Sequence, residues 1–488
     1  MLDEVTGLLG ERFFEEKVLP MRRRYFYLGL SMVTALSFGL RFWQLGRFDA
    51  LVFDEVYYAT FAQGYLRGEA LFDAHPPLGK YAIALGIWLH THLASSLSGI
   101  PFGPFANELT LNPVSYRWMN AFVGGLIPLL VVWIGWILTR ELRSHRSQWF
   151  ALLSGVFISV DGLFVTESRY ALINIYVVFF GLLGHGLWMW AHTIVSQEQK
   201  QRKAIFYLLS GIALGTAVAV KWNGLGYLLS LMVWESWRMR DVWIGKSFSK
   251  SFIQGISVRS LASSRFLGKS VLFYGLWLGL VPTTTYCLLW WPYLALSDFS
   301  FLGLHYTILS FHQGLDTFQV TCSRWFTWPL LIKPMAYGYV DAGTQVFTVN
   351  NLGNPALWWL SGAAVFLVGI ERLMSLKARF PYSQTRGEDD EIKAYLLIGY
   401  LANWLPWVMT DRCTYIYLFM PAVVYGFMLL AWLLSGWLAV EAFAASRWMG
   451  FVMLSAIALS FFFWLPLSLG LPLTPEQLQL RWWLPSWI

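Results

Sequence analysis

Long apolar runs, bounded by charges or by Gly and Pro, recur along the whole chain and predict helices that cross a membrane. A span takes about 20 mainly apolar residues. Eleven stretches meet or approach that length: 25–45, 116–139, 148–166, 170–194, 204–220, 222–237, 270–292, 355–376, 393–410, 414–437 and 448–470. Only Lys221-Trp222-Asn223-Gly224 separates the two halves of 204–237. A further run, 78–95, is shorter and follows His75-Pro76-Pro77, which predicts an interfacial or re-entrant helix. Two connections are long, 46–115 and 293–354.

Charge orients this pattern. With the N-terminus cytoplasmic, the inside segments are 1–24, 140–147, 195–203, 238–269, 372–393 and 438–447. They hold 24 of the 35 Lys and Arg residues. That asymmetry is the positive-inside bias. An odd number of spans puts the C-terminus outside, and both long connections are outside too. The net charge of +7 is then explained by topology and anionic lipid, with no nucleic-acid partner.

Composition adds exclusions. With 57% hydrophobic and 13% charged residues, the chain lacks the charge to cover a soluble surface. Its 28 Trp and 37 Phe suit aromatic belts at two membrane interfaces. No repeat, low-complexity tract or cleavable signal is evident. One integral domain is expected, with regions 1–292, 293–354 and 355–488. Cys287, Cys322 and Cys413 match no zinc or redox spacing. Cys322 and Cys413 can pair if both face an oxidising compartment, but unpaired thiols are the expectation.

Candidate chemistry lies in the first outer loop. Phe53, Tyr57, Phe61 and Tyr65 recur every four residues, and Gly68 offers a stop. This predicts an interfacial helix with an aromatic face. Asp54 and Glu55 open it, where the helix dipole favours negative charge, so capping competes with chemistry as their role. Asp73-Ala74-His75-Pro76-Pro77-Leu78-Gly79-Lys80 then supplies an acid, an imidazole and an ammonium. Pro-Pro can start the next helix, and Lys80 falls one turn into it. It sits at a depth suited to a lipid phosphate or to simple snorkelling.

The stretch FDEVYYATFAQGYLRGEALFDAHPPLGKY resembles the first outer loop of protein O-mannosyltransferases, C-type glycosyltransferases that use polyprenyl-phosphate sugars. The Asp-Glu pair followed by His-Pro-Pro-Leu-x-Lys is the joint signature. The resemblance continues through Tyr116-Arg117 with Asn120, Asp161-Gly162 with Ser168-Arg169-Tyr170, and Gly215 with Lys221-Trp222. It extends to Ser323, Trp325, Trp328-Pro329, Leu352-Gly353-Asn354-Pro355, and Leu405-Pro406-Trp407 with Arg412 and Tyr415. Two positions depart from the family's pattern: Asn174 stands where it usually has Asp, and Leu418 where a His is common. The connection 293–354 is too short for the soluble insert of fungal and animal members, which suits a bacterial-like form.

The resemblance implies an all-α polytopic membrane protein with the C-type glycosyltransferase fold and about eleven spans. It also implies transfer of a mannose-like sugar from polyprenyl phosphate to Ser or Thr hydroxyls of exported, extended polypeptide, with inversion. Such a reaction needs a base, cations for the departing phosphate and a groove for the lipid. Asp54 is the expected base, with Glu55 orienting the acceptor or a basic group. Lys80, Arg117, Arg169 and Arg412 are candidates for the phosphate, although an Arg at a span end also serves as an anchor. Asp161 is expected either to pair with Arg117 or Arg169 or to take part in catalysis. His75 orients phosphate or sugar, or braces its loop. Trp325, Trp328, Tyr337 and Tyr339 stack on sugar or join the membrane belt. No metal is expected, because Lys and Arg can carry the leaving phosphate. The localisation implied is a bacterial inner membrane with the site outside. The same donor chemistry on a lipid or glycan acceptor, as in aminoarabinose transferases, is an alternative, as is a non-catalytic lipid-binding scaffold. A transporter is another, but it would place ionisable groups at mid-membrane and carry repeats.

Overall fold

Every apolar stretch named above folds as helix. The structure, a computed structural model, describes residues 23–98, 112–142, 145–194, 196, 199–243, 271–314, 322–377, 388–439 and 444–487. Much of the basic inner-side sequence, 1–22 and 244–270, lies outside the described residues. In chain order the first helices are α1 (Arg23–Phe42), α2 (Glu55–Leu66), α3 (Leu78–Ser98), α4 (Pro113–Thr139), α5 (His145–Ser159), α6 (Gly162–Arg169), α7 (Asn174–His192) and α8 (Lys200–Val220). Then come α9 (Leu225–Trp243), α10 (Val271–Ala295), α11 (Phe301–Gln313), α12 (Pro355–Lys377), α13 (Glu388–Trp404), α14 (Met420–Leu438), α15 (Ala444–Leu469) and the short α16 (Pro475–Gln479).

Among the described residues, seven helices are long and apolar enough to cross a membrane. The pair α5 and α6, bent by 59° at Val160–Asp161, makes an eighth if it is one span. By these criteria the expected eleven is not reached. The helices over 23–42, 225–243 and 388–404 exist but fall outside the set: charge at the ends of the first two lowers their mean hydropathy, and the third has only 17 residues. The run after Pro77 is helical (α3) and is also outside it.

The bundle is built around α14. Its apolar stretch is 94% buried, whereas that of α10 is only 11% buried, so α14 is the axis and α10 the rim. Helices α5, α12 and α13 pack on α14, while α7 joins α4 to α8. The α5–α6 bend needs Gly162. A Cβ there would meet the Leu352 carbonyl oxygen at 2.2 Å, so any side chain would push the second outer loop off the bundle.

That loop holds strands that the sequence reading did not foresee: β1 (Ala336–Asp341) and β2 (Val346–Asn350) form an antiparallel hairpin within an otherwise helical fold. Alternating Tyr337, Tyr339, Phe347 and Val349 suit strands, and Gly343 turns the chain at φ +80°. The hairpin is held to the C-terminal segment by the Val346–Leu473 bridge. Cys322 and Cys413, expected as free thiols, form a disulfide. The backbone bond from Ser323 to the Thr414 carbonyl, at 2.7 Å, holds the two segments in register beside it. A pairing across 91 residues of sequence leaves no trace in Cys spacing. Cys287 is free and exposed. Thiol counting under denaturing conditions is therefore expected to find one reactive cysteine per chain before reduction and all three after it.

Candidate active site

The Asp-Glu pair splits its duties. Asp54 occupies the N-cap of α2, but its side chain makes no capping hydrogen bond. Glu55 turns the opposite way, into the bundle. Its carboxylate accepts hydrogen bonds from Arg117 Nε at 2.8 Å and Nη2 at 2.7 Å, from Val52 N at 3.1 Å and from Ala171 N at 2.9 Å. Both Glu55 and Arg117 have 0% exposure. Capping is thus the role of neither acid. Phe53, immediately before Asp54, has φ +46°, a left-handed conformation costly for a bulky residue. Its ring stacks on Tyr337 at 4.7 Å, which holds the turn that aims Asp54.

Several predicted residues are structural. The remaining N–H groups of Arg117 point at the Phe48 and Ala50 carbonyls, so it has no donor left for phosphate. Arg169 donates to the carbonyls of Leu40, Arg41, Trp43 and Gln44, stapling the end of α1. Lys80 is buried and bonded to the Asp73 carboxylate and, at 2.9 Å, to the His75 carbonyl. It braces the Asp73–Pro77 turn from inside. Asp161 neither pairs with Arg117 or Arg169 nor reaches the site: it caps α6 through Phe164 N at 3.1 Å and accepts from Asn354 N and Trp358 Nε1 at 2.9 and 2.7 Å. Trp328 is buried, donates to Ser323 Oγ at 2.8 Å and packs on Trp407, while Trp325 packs on Trp404. The two indoles pack beside the disulfide region. Along α2 the aromatic stripe is not the packed face: Tyr57 is 59% exposed, whereas Tyr58, Ala59 and Ala62 are buried.

What converges is Asp54, Tyr58, Asp73, His75, Glu167, Asn174, Lys221, His312, Arg412 and Tyr417. Lys221 ends α8, donates to Asn174 Oδ1 at 3.1 Å, and lies 4.8 Å from the Tyr417 ring centre. Asn174 Nδ2 in turn donates to Glu167 at 3.1 Å, and Tyr337 OH donates to the same carboxylate. His75 faces Tyr58 and His312, with ring centres 6.4 and 5.5 Å away. Arg412, half-buried beside Tyr415 and Tyr417, has no hydrogen-bond partner among the described residues. Burial raises the Asp54 carboxyl to about 6; Lys221 pulls it down, Asp73 pushes it up and a Tyr58 hydrogen bond lowers it. His75 is held well below the usual imidazole value, by burial first and then by Lys221, His312, Lys80 and Arg412. The result is a carboxyl raised toward neutrality beside the Lys221 ammonium, with Arg412 among the cations around His75.

Of the expected site, then, Asp54, His75 and Arg412 come together. Sequence reading missed Glu167, Lys221, Tyr58 and His312. An acid within an apolar run was an available signal for Glu167, and Lys221 interrupts two apolar runs. Nothing local marked Tyr58 or His312.

Comparison with known proteins gives this arrangement a class. The fold matches one in a solved Saccharomyces cerevisiae protein O-mannosyltransferase Pmt1-Pmt2 complex bound to the sugar donor. The TM-score is 0.75 at 16% identity, over 95% of this chain and 93% of that one. An oligosaccharyltransferase from Archaeoglobus fulgidus matches at a TM-score of 0.50 and 15% identity, over 95% and 57%. The polyprenol-phosphate-mannose–protein mannosyltransferase of Mycobacterium tuberculosis is 26% identical across 96% of this chain and 93% of its own. The class is a multi-pass membrane glycosyltransferase.

Two family models divide the chain. That for dolichyl-phosphate-mannose-protein mannosyltransferase matches residues 31–293, and that for the C-terminal four-span region of protein-O-mannosyltransferase matches 299–487. The chain belongs to the protein O-mannosyltransferase family.

Because Glu55 fills a fully satisfied buried pair, removing its charge leaves Arg117 unpaired, a change that costs about 3–5 kcal/mol for such pairs. Glu55→Gln is expected to lower the thermal midpoint in detergent clearly, whereas Asp54→Asn leaves it near the native value.

Proposed function

We propose that this chain transfers mannose from a polyprenyl-phosphate donor to Ser or Thr hydroxyls of exported polypeptides, at the outer face of a bacterial inner membrane. The observation that carries the reading is Asp54: a carboxylate at a helix start, free of capping, raised toward neutrality and set among cations that bond to no other acid. The acceptor hydroxyl oxygen attacks the anomeric carbon as its proton passes to Asp54. The bond from that carbon to the phosphate oxygen breaks, and the electron pair leaves with the polyprenyl phosphate. One displacement inverts the anomeric centre.

Lys221 and Arg412 face the leaving phosphate in this scheme. Preorganised cations at developing charge are a large source of rate, so the reaction as proposed needs no metal. The Asp73–Lys80 brace keeps His75 at the mouth. The Cys322–Cys413 disulfide supports an oxidising compartment around the second outer loop, in line with the charge bias of the sequence.

Purified protein supplied with labelled polyprenyl-phosphate mannose and Ser/Thr peptides is expected to label the peptide, and failure to do so with any hydroxyl acceptor removes the reading. Asp54→Asn is expected to lose about 10²–10⁴-fold in turnover. The base must be ionised, so kcat/KM falls as pH drops through about 6 and levels off above neutrality. Lys221→Met and Arg412→Met are each expected to lose about 10²-fold in kcat, with Lys221→Arg retaining more activity than Lys221→Met.

A further inference from the structure

His312 approaches the site on α11, from the second outer loop, and has no part in proton transfer or phosphate neutralisation. Its position is fixed by packing. Leu304 and Ile308 of the same helix are buried against Trp290 and Tyr293, and His305 Nε2 lies 2.6 Å from Tyr286 OH. The His312 ring sits 5.5 Å from His75 and 6.0 Å from Trp222.

The tautomer follows from one contact. His312 Nε2 is 2.9 Å from the Ala74 carbonyl oxygen. A carbonyl only accepts, so Nε2 carries the proton and Nδ1 keeps its lone pair. Nδ1 is buried and has no partner among the described residues. Burial lowers the imidazole to about 4, and Arg412 and Lys221 lower it too, against the Ala74 bond and Asp73, which raise it. At neutral pH the ring is therefore an uncharged acceptor. Leaving a buried acceptor unmatched costs about 1–3 kcal/mol, so a bound molecule that supplies a donor is favoured there.

Chemistry narrows that molecule. An ionised phosphate has no proton to give, and a prenyl chain has no donor. The acceptor polypeptide also carries donors, but its reacting hydroxyl gives its proton to Asp54; the sugar on the phosphate presents several O–H groups beside Lys221 and Arg412, the two cations that also act on the His312 ring. We propose that His312 Nδ1 accepts a hydrogen bond from one hydroxyl of the donor sugar and so reads which sugar is transferred. This rests on the transfer reaction proposed above.

The test uses the full-length enzyme with the mannosyl donor and its monodeoxy versions, each lacking one free hydroxyl. The native enzyme is expected to lose about tenfold in kcat/KM with one deoxy donor, the scale of one hydrogen bond. In His312→Gln the amide nitrogen can still donate to Ala74, but no acceptor stands at Nδ1. That variant is expected to lose about tenfold with mannose and nothing further with that same deoxy donor. In His312→Asn the amide oxygen stands near the Nδ1 position, and this variant is expected to keep the deoxy penalty. Unchanged deoxy penalties in His312→Gln overturn the assignment. So does the same loss of penalty in both variants, which would trace the effect to support of the Ala74 turn. If the native enzyme transfers from no mannosyl donor and behaves like Asp54→Asn, the proposed function itself falls, and the sugar contact with it.

Discussion

A carboxylate and a guanidinium buried without water cost several kcal/mol each in lost hydration, and only complete hydrogen bonding offsets that cost. Glu55 and Arg117 meet the condition. Four N–H groups reach the Glu55 carboxylate, and the rest of Arg117 is taken up by carbonyls of the first outer loop. The partners come from that loop, from α4 and from the turn between α6 and α7, so a single ion pair pins three segments together. Successive residues at a helix start point about 100° apart. Anchoring Glu55 in the core therefore decides where Asp54 can aim, and the strained, stacked Phe53 removes the remaining freedom. The proposed base is placed by its buried, paired neighbour.

The same accounting sorts the cations. Arg169 is spent on carbonyls at the end of α1, Lys80 on Asp73, and Arg117 on Glu55. Two of these charges meet an acid, and the third meets only carbonyl oxygens. Lys221, whose hydrogen-bond partner is a neutral amide, and Arg412 are what is left over. An anionic ligand is attracted to charge the protein has not already neutralised, so in the proposed reaction the phosphate faces these two rather than the more conspicuous arginines.

The helical framework was legible because apolar length is a strong, local signal, and so was the first-loop pair, because two acids at one helix start stand out in an apolar chain. The division between Asp54 and Glu55 was not legible: it depends on Arg117 and Ala171, 62 and 116 residues away. What separates Arg412 from the other phosphate candidates was hidden for a related reason. Sequence reports that an arginine lies near a span end but not what has claimed it: Glu55, 62 residues away, holds Arg117, and backbone carbonyls with no charge to advertise the contact hold Arg169. The α5–α6 bend likewise moved Asp161 into a cap and a Trp358 contact, which hydropathy cannot register. The hairpin was hidden by its shortness, and the disulfide by its long separation.

Asn174 shows how a departure in sequence can leave a site's charge intact. At that position the amide cannot supply an anion, but it donates to Glu167 and accepts from Lys221. A carboxylate one helix earlier thus reaches the ammonium through a neutral bridge. An acid at 174 in addition to Glu167 would put two carboxylates at hydrogen-bond distance, and one of them would have to hold a proton. The amide avoids that conflict, and it leaves Lys221 bonded to a neutral oxygen rather than locked in an ion pair. The cation keeps its charge free for an incoming anion, and Tyr337 on the hairpin holds Glu167 from the other side, so the second outer loop helps set the charge of the site.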